Sequence, residues 1–397
     1  MKQYFSSLRH RNFRLFWSGQ LISLSGTWMQ NIAQGWLVLQ LTNSPFLMGI
    51  VSAVASLPIL LFSLVGGVIS DRLNKRKLII LTQTAQMLLA FIMGVLISTK
   101  YIALWQIIII AGALGLTNAF DAPARQSFVI EMVGKDDLSN AIALNSMIFN
   151  TARIVGPMIA GFLMGSLGVA ACFYLNGISF LAVIAGLLLM RGDFASKNLR
   201  QDSLKESTLA GAKYVWQKKE IRNLIILIAV SSLFGMSYMV LMPIFARDVL
   251  KIGPKGLGIL VGAIGCGALL AAFSLMIFSH SRKSSRFVSL GGMVLGGSLL
   301  IFGFSHNVYL SLLALVGVGW GLITQTATIN SLLQKDTPDE LRGRVMGFYT
   351  LMFLGMVPVG SFLAGLLAEW LGVPTAVGLG GLVCLVASSI FSRGLPD

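Results

Sequence analysis

Gln20, Ser23, Thr27, Asn31 and Gln34 follow one another at steps of three and four through an otherwise apolar stretch. That spacing sets all five on one face of a helix. Their amides and hydroxyls can donate to and accept from a polar molecule, or they can bond one helix to another. Turned toward hydrocarbon, each would leave polar atoms unpaired at a cost of several kcal/mol. The face therefore meets protein or water. A cavity wall is the expected use, because five such groups in a row exceed what helix–helix bonding needs. Trp28 and Trp36 flank the face, as aromatic surface for a substrate or as packing. A weaker polar run, Thr324, Gln325, Thr328 and Asn330, stands far along the chain. Tyr238 and Tyr349, with Met236, Met239, Met352 and Met356, add aromatic and soft apolar surface that suits varied amphipathic molecules or simple packing.

Charges inside apolar runs are few, so each carries information. Asp121 and Arg125 lie in Asn118-Ala119-Phe120-Asp121-Ala122-Pro123-Ala124-Arg125-Gln126, and Arg153 follows Asn145 and Asn150 in the next apolar run. Arg153 sits roughly 12 Å along the helix from Asn145, too deep to reach water easily. It is expected to hold an anionic part of a substrate, beside Asn150, or the Asp121 carboxylate. Asp121 can gain and lose a proton and is the candidate coupling residue together with Arg153. The plainer alternative is a structural ion pair of Asp121 with Arg125. Glu369 is expected to be an interfacial residue.

The elements that must position these groups follow from composition. The 397 residues are 55% apolar and 11% charged, a proportion no soluble domain of this length shows. Twelve spans fit, at about 14–40, 46–69, 78–98, 103–125, 140–166, 169–190, 221–246, 256–279, 287–304, 308–333, 344–370 and 374–392. The fold class is thus all-α and polytopic: twelve transmembrane helices in two six-helix halves around a central cavity. A net charge of +15 raises nucleic acid as a partner, but 25 of the 30 Lys and Arg fall in loops on one side of such a layout. That is the positive-inside bias of a membrane protein, with both termini cytoplasmic, and nucleic acid is excluded. The basic start has no small-residue cleavage site, so no removable signal peptide is expected. Cys172, Cys266 and Cys384 lie far apart within spans and read as core residues, with no disulfide or metal spacing.

The tightest loop is Gly66-Gly67-Val68-Ile69-Ser70-Asp71-Arg72-Leu73-Asn74-Lys75-Arg76-Lys77, with five charges in seven residues between two apolar runs. Its small residues permit close helix packing, and Asn74 tolerates a left-handed turn. Gly67, Asp71, Arg72, Arg76, Arg125 and Arg342 are the candidate gating residues, Asp71 and Arg72 latching to residues 342–345 and to the Asp121–Arg125 stretch. The sequence also repeats itself. Ser44-Pro45-x-x-Met48-Gly49 returns as Gly253-Pro254-x-x-Leu257-Gly258 at an offset of 209, and Leu167-Gly168-Val169 as Leu371-Gly372-Val373 at 204. The motif loop returns in degenerate form at 280–285, keeping basic charge and losing the acid. Residues 1–190 and 221–397 are the expected halves. Residues 191–220 form the cytoplasmic linker between them, with an amphipathic stretch at 204–216.

The pattern Gly67-x-x-x-Asp71-Arg72-x-x-Lys75-Arg76 resembles the loop motif of the major facilitator superfamily of secondary transporters. Asn43-Ser44-Pro45, Asp121-Ala122-Pro123-Ala124-Arg125-Gln126, Asn150-x-x-Arg153-x-x-Gly156-Pro157 and Glu340-x-Arg342-Gly343-Arg344 resemble a branch with enterobactin-type siderophore exporters and macrolide efflux proteins. The likeness runs from about Arg11 to the end. It implies proton-coupled export of a bulky amphipathic small molecule by alternating access across the inner membrane, by a monomer that is not an enzyme and needs no cofactor. The Gly-Pro motif of the fifth span is partial, with Ala152 and Ala160 at positions often held by Gly. The fourth-span Arg of drug antiporters is absent near Ile109. An ion-coupled importer of a sugar or organic anion is the alternative, and a non-transporting scaffold or sensor is a third reading. No Gly-x-x-x-x-Gly-Lys-Ser/Thr loop points to ATP.

Overall fold

The computed structural model describes residues 5–192, 213–278 and 284–391, apart from the side chains of Leu64, Asp71, Phe278, Ser284, Asp339 and Glu340. Among these residues there is helix and no strand. Twelve helices carry the fold: α1 Arg11–Thr42, α2 Pro45–Arg72, α3 Lys75–Ser98, α4 Leu104–Val133, α5 Leu138–Ser166, α6 Val169–Leu188, α7 Lys219–Leu233, α8 Gly253–Phe278, α9 Ser284–Phe304, α10 Val308–Asp336, α11 Asp339–Leu371 and α12 Val373–Phe391. Eleven segments of the described chain are long and apolar enough to cross a membrane. The one outside that set is α1, whose 32 residues are about 48 Å long and ample to span, but whose polar face lowers its hydropathy.

By contacts the chain forms two compact units. One holds Met1–Asn43, Val54–Arg200 and Gly253–Ile259; the other holds Ser44–Ala53, Gln201–Ile252 and Leu260–Asp397. The first turns of α2 therefore belong with the second unit, and the first turns of α8 with the first. Most of the expected 191–220 linker, including residues 204–212 of the 204–216 stretch, lies outside the described residues, as does much of the degenerate loop at 280–285.

The helix pairs inside each unit correspond. In the first, α1 packs on α5 and α6, and α3 on α4 and α6; in the second, α7 packs on α11 and α12, and α9 on α10 and α12. Each pair in one unit becomes a pair in the other when its numbers are raised by six, as an internal duplication requires. Phe13, Phe16, Ile79, Phe128, Leu144 and Leu187 fill one end of the first unit, and Ile221, Ile228, Val288, Ile329, Leu333 and Val345 do the same in the second.

One expected span is not a continuous helix. After Leu233 the chain leaves α7, makes a 3-10 turn at Ser237–Leu241, a short helix at Met242–Ile244 and a π turn at Phe245–Val249. Gly235 supplies little helical preference, and Pro243 brings no backbone N–H. Ser237 Oγ donates to the Leu233 carbonyl at 2.5 Å, satisfying an acceptor that the break releases.

Candidate functional site

The polar face of α1 divides between two uses. Gln20 and Ser23 are buried, and Gln20 Oε1 accepts from Arg125 Nη1 at 2.8 Å. Thr27 and Gln34 are half-buried and Asn31 is exposed. Thr27 Oγ1 donates to the Ser23 carbonyl at 3.0 Å, so the hydroxyl proton is used within the helix. Gln30, adjacent to the stripe, is 3% exposed and accepts from Asn176 Nδ2 at 2.7 Å. Helix bonding thus consumes the inner part of the face and a neighbouring amide, while Asn31 and Gln34 stay open.

Packing of α1 on α5 sets what stands beside that open part. Trp17 Nε1 donates to the Leu144 carbonyl at 3.2 Å, and the Trp28 and Phe149 rings meet edge to face at 5.8 Å. A Cβ on Gly156 would lie 2.6 Å from the Ser25 carbonyl oxygen and 2.7 Å from Trp28 Cβ, so only glycine permits this approach. These contacts bring Arg153, one turn before Gly156, to about the depth of Thr27. Both Asn150 and Arg153 are half-buried, and Asn150 Nδ2 donates to the Ser146 carbonyl at 2.8 Å.

Asp121 lies elsewhere in the first unit, with no exposed surface. Its Oδ2 is 2.6 Å from Arg125 Nε, and its Oδ1 accepts from Thr82 Oγ1 at 2.6 Å and Gln83 Nε2 at 3.1 Å. One turn along, Gln86 Nε2 donates to Asn118 Oδ1 at 3.2 Å. The carboxylate is thereby held by two hydrogen-bond donors from α3 and by the charge of Arg125 on α4, and Arg125 carries the network on to Gln20 of α1. The arrangement holds a buried ion pair whose carboxylate is also hydrogen-bonded by a second helix. Sequence reasoning did not use Thr82, Gln83 and Gln86, although three polar groups within five residues of an apolar run were a visible signal.

Of the polar and aromatic candidates of the second unit, Thr324, Gln325, Thr328, Tyr238 and Tyr349 are enclosed by it and Asn330 is half-buried. Gln325 has no exposed surface; it accepts from Ser231 Oγ at 2.6 Å and donates to Ser388 Oγ at 3.3 Å, joining α7, α10 and α12. Tyr349 is buried, donates to the Thr326 carbonyl at 3.3 Å and stacks on Phe353. Tyr238 is buried in the 3-10 turn after the α7 break.

In the motif loop, Gly66 makes the close approach: a Cβ there would fall 2.2 Å from the Ala119 carbonyl oxygen of α4, whereas one at Gly67 would meet nothing within 4 Å. Asn74 is extended, with φ −63°, and its side chain caps α3 by accepting from Lys77 N at 3.1 Å. It serves as an N-cap instead of a left-handed turn residue, a role for which Asn is well suited. Arg76 Nη2 donates to the Leu188 carbonyl at 2.9 Å, and Arg342 Nε to the Gln334 carbonyl at 2.8 Å. Each thus satisfies a carbonyl near the C-terminal end of a helix, α6 or α10. Lys75 pairs with Glu131, and Arg72 is exposed. The Asp71 side chain is outside the described set, so its expected latch contacts are too.

Glu369 is more than an interfacial residue. Its Oε2 accepts from Ser44 Oγ at 2.9 Å and from the Phe46 backbone N–H at 3.2 Å, in the first turn of α2.

A helical chain with this many spans, two corresponding sets of helix pairs and a buried ion pair is a polytopic membrane transporter in class. The chain belongs to the major facilitator superfamily, in its transmembrane secretion effector family, whose sequence model matches residues 2–395. It is 26% identical over 382 residues to the staphyloferrin A transporter of Staphylococcus aureus (strain NCTC 8325 / PS 47), covering 95% of each chain. It is also 26% identical over 362 residues to the multidrug efflux pump Tap of Mycolicibacterium fortuitum, covering 88% of this chain and 87% of that one. Among solved structures, a bacterial homolog of the human lysosomal transporter Spinster superposes with a TM-score of 0.77 at 12% identity, covering 99% of this chain and 97% of the other. The nucleoside transporter NupG gives 0.78 at 12%, covering 97% and 98%. At such identities the structures speak for the fold alone. The family and these relatives are transporters, not enzymes. The chain is accordingly a membrane-embedded transporter of small molecules.

Proposed function

We propose that this chain is a secondary active exporter of a bulky amphipathic small molecule, of siderophore or macrolide-like character, working by alternating access and coupled to protons. The carrying observation is the open part of the α1 face: Asn31 exposed and Gln34 half-buried in a membrane-spanning helix, with Asn150 and Arg153 on the adjoining α5. Amides left uncovered at such a position need a water-filled or substrate-filled surface. The full-length likeness to a siderophore transporter and to a multidrug efflux pump supports outward movement of a large solute. The orientation that goes with this reading has both termini in the cytoplasm of a cell with the protein in its inner membrane.

In this scheme Thr27, Asn31, Gln34, Asn150 and Arg153 contact substrate. The guanidinium of Arg153 offers two parallel donors to an oxygen pair. Asp121 is the coupling carboxylate, and a proton on it ends the ion pair with Arg125 and frees that residue and Gln20. The test is transport in everted membrane vesicles with an imposed pH gradient, using a catecholate siderophore and a macrolide as probes. Arg153→Lys should keep its charge and lose transport by about tenfold or more, because a point charge cannot replace the fork. Asp121→Asn should bind substrate yet lose the response to the gradient. Full gradient-driven transport by Asp121→Asn would remove Asp121 from the coupling role. Accumulation of neither probe would reject the substrate class.

A further inference from the structure

The internal repeat places two glycine crossings in corresponding positions, and only one of them carries an acid. In the second unit the start of α2 lies on α11. A Cβ on Gly49 would come 2.7 Å from the Ser361 carbonyl oxygen, and one on Gly365 would come 2.7 Å from the Pro45 carbonyl oxygen and 2.9 Å from Gly49 Cα. Ser52 Oγ meets Ser361 Oγ at 3.1 Å, and the Phe46 and Phe362 rings meet at 5.7 Å. Glu369 closes the end of this seam on Ser44 Oγ and the Phe46 N–H.

In the first unit the start of α8 lies on α5 in the same way. A Cβ on Gly258 would come 2.6 Å from the Pro157 carbonyl oxygen, and one on Gly161 2.7 Å from the Pro254 carbonyl oxygen. The offset of 209 carries Gly49 onto Gly258 and Phe46 onto Lys255; the offset of 204 carries Gly161 onto Gly365 and Gly165 onto Glu369. At the position of Glu369 the first seam therefore has Gly165, and the Lys255 stem lies over it with Nζ 5.9 Å from the Phe162 ring centroid.

We propose that Glu369 is a proton-operated positioning residue of the transport cycle: as a carboxylate it holds the first turns of α2 on α11, and as the neutral acid it lets them go. The attraction is that of a negative charge for the free N–H groups and positive end of a helix, added to two charge-assisted hydrogen bonds. Protonation leaves a neutral acceptor and removes the charge. The groups around it do not supply a competing one. Residues 44–53 carry no ionisable side chain; α12 contributes only the buried Cys384 thiol and the 3-10 turn only Tyr238. The charged residues of α7, Lys219, Glu220 and Arg222, lie in its first turn, and those of α10, Lys335 and Asp336, at the end away from Asn307, with Tyr309 at the near end. Nothing comparable operates at the first seam, where a lysine stem covers a glycine. The two crossings would then respond differently to the same proton gradient. The role of the latch in transport rests on the exporter reading above, in which this end of α2 faces outward.

The test needs no substrate, so its failure is separable from failure of the exporter reading. In a variant with Cys172, Cys266 and Cys384 replaced, nitroxides at Leu47→Cys and Trp370→Cys report the seam by spin–spin broadening, in proteoliposomes between pH 8 and pH 3.5. The broadened, docked population should fall with acidification. Glu369→Gln, matched in shape and neutral at every pH, should lower the docked-to-undocked ratio at pH 8 by roughly three- to tenfold and remove the pH dependence. Gly49→Val should empty the docked population at all pH values, giving the undocked reference. An unchanged docked population in Glu369→Gln at pH 8, or a pH profile that survives in it, would overturn the proposal. Monodisperse gel filtration of each variant distinguishes undocking from misfolding, and a Glu369→Gln protein that does not fold at all would make Glu369 a purely structural residue and equally overturn it.

Discussion

At the scale of single residues, the same chemistry serves opposite purposes, and burial separates them. Asn31 and Gln325 are both amides in apolar helices, yet Asn31 is exposed and Gln325 is fully enclosed between Ser231 and Ser388. Gln325→Leu should therefore cost about 1 kcal/mol of stability, the size of a membrane helix–helix hydrogen bond, while leaving transport per folded molecule nearly unchanged. Thermal unfolding in detergent beside vesicle flux checks both halves. Asn31→Ala should do the reverse, with little change in unfolding and a clear loss of flux. Outside the membrane, Asp137 shows a third use of a polar group. Its carboxylate accepts from Ser6 Oγ at 2.5 Å and meets His10 Nε2 at 2.8 Å, fastening the N-terminal 3-10 turn to the start of α5. The Ser6 hydrogen bond first, then the one from His10, hold its pKa below the usual 3.8. A carboxyl lowered in the folded state stabilises it at pH above the ordinary value, and that contribution disappears as pH falls through the lowered one. The turn should thus stay docked across the neutral range and come loose only below about pH 4, and Asp137→Asn should loosen it at pH 7. Proteolysis at the N-terminal residues, followed against pH, measures this.

Elements show how much of the site could be read without coordinates. Spans were legible because a run of about 20 apolar residues has few other uses, and the repeat was legible because Pro and Gly recur at fixed offsets. The stripe on α1 was legible as a face. Its division into glued and open parts was not, since both need polar atoms and spacing alone does not say which helix covers which turn. Asp121 with Arg125 could be foreseen from i, i+4 spacing, whereas the donors Thr82 and Gln83 come from another helix. Ser44 and Glu369 are 325 residues apart, and no local spacing in the sequence brings them together. The break after α7 was hidden by a composition that stays apolar through it. The packing of α1 on α5 yields its own prediction. Gly156→Leu would force Ser25 and Trp28 away from α5, since even a Cβ would lie 2.6 Å from the Ser25 carbonyl oxygen and 2.7 Å from Trp28 Cβ. The variant should lose several kcal/mol of stability or fail to accumulate, while Gly67→Ala, which meets no atom, should leave stability within about 0.5 kcal/mol of the parent. Melting temperatures of the two proteins decide it.

At the scale of the whole chain, the exchange of segments between the units has a consequence for fragments. A polypeptide ending at residue 200 lacks Gly253–Ile259, which the first unit includes, and so exposes the α5 surface around Gly161 and Gly165. Expressed alone, it should unfold at a lower temperature than the same segment co-expressed with residues 201–397, and fluorescence-detected gel filtration after heating compares them directly. Replacing Gly258 by Val in the second fragment should abolish much of that rescue, because its Cβ would strike the Pro157 carbonyl oxygen at 2.6 Å.

The two glycine crossings also bear on descent. A single six-helix ancestor that paired with its own copy would have needed one docking segment and one receiving helix, and both crossings of the pair would have been identical by necessity. Any acid gained on the receiving helix would have appeared twice. Joining two copies in one gene ended that constraint, because a codon in one half could then change without its counterpart. Gly165 and Glu369 stand at corresponding positions with unlike chemistry, which a symmetric dimer of identical chains could not have carried. Fusion is what made a one-sided response to protons available to selection.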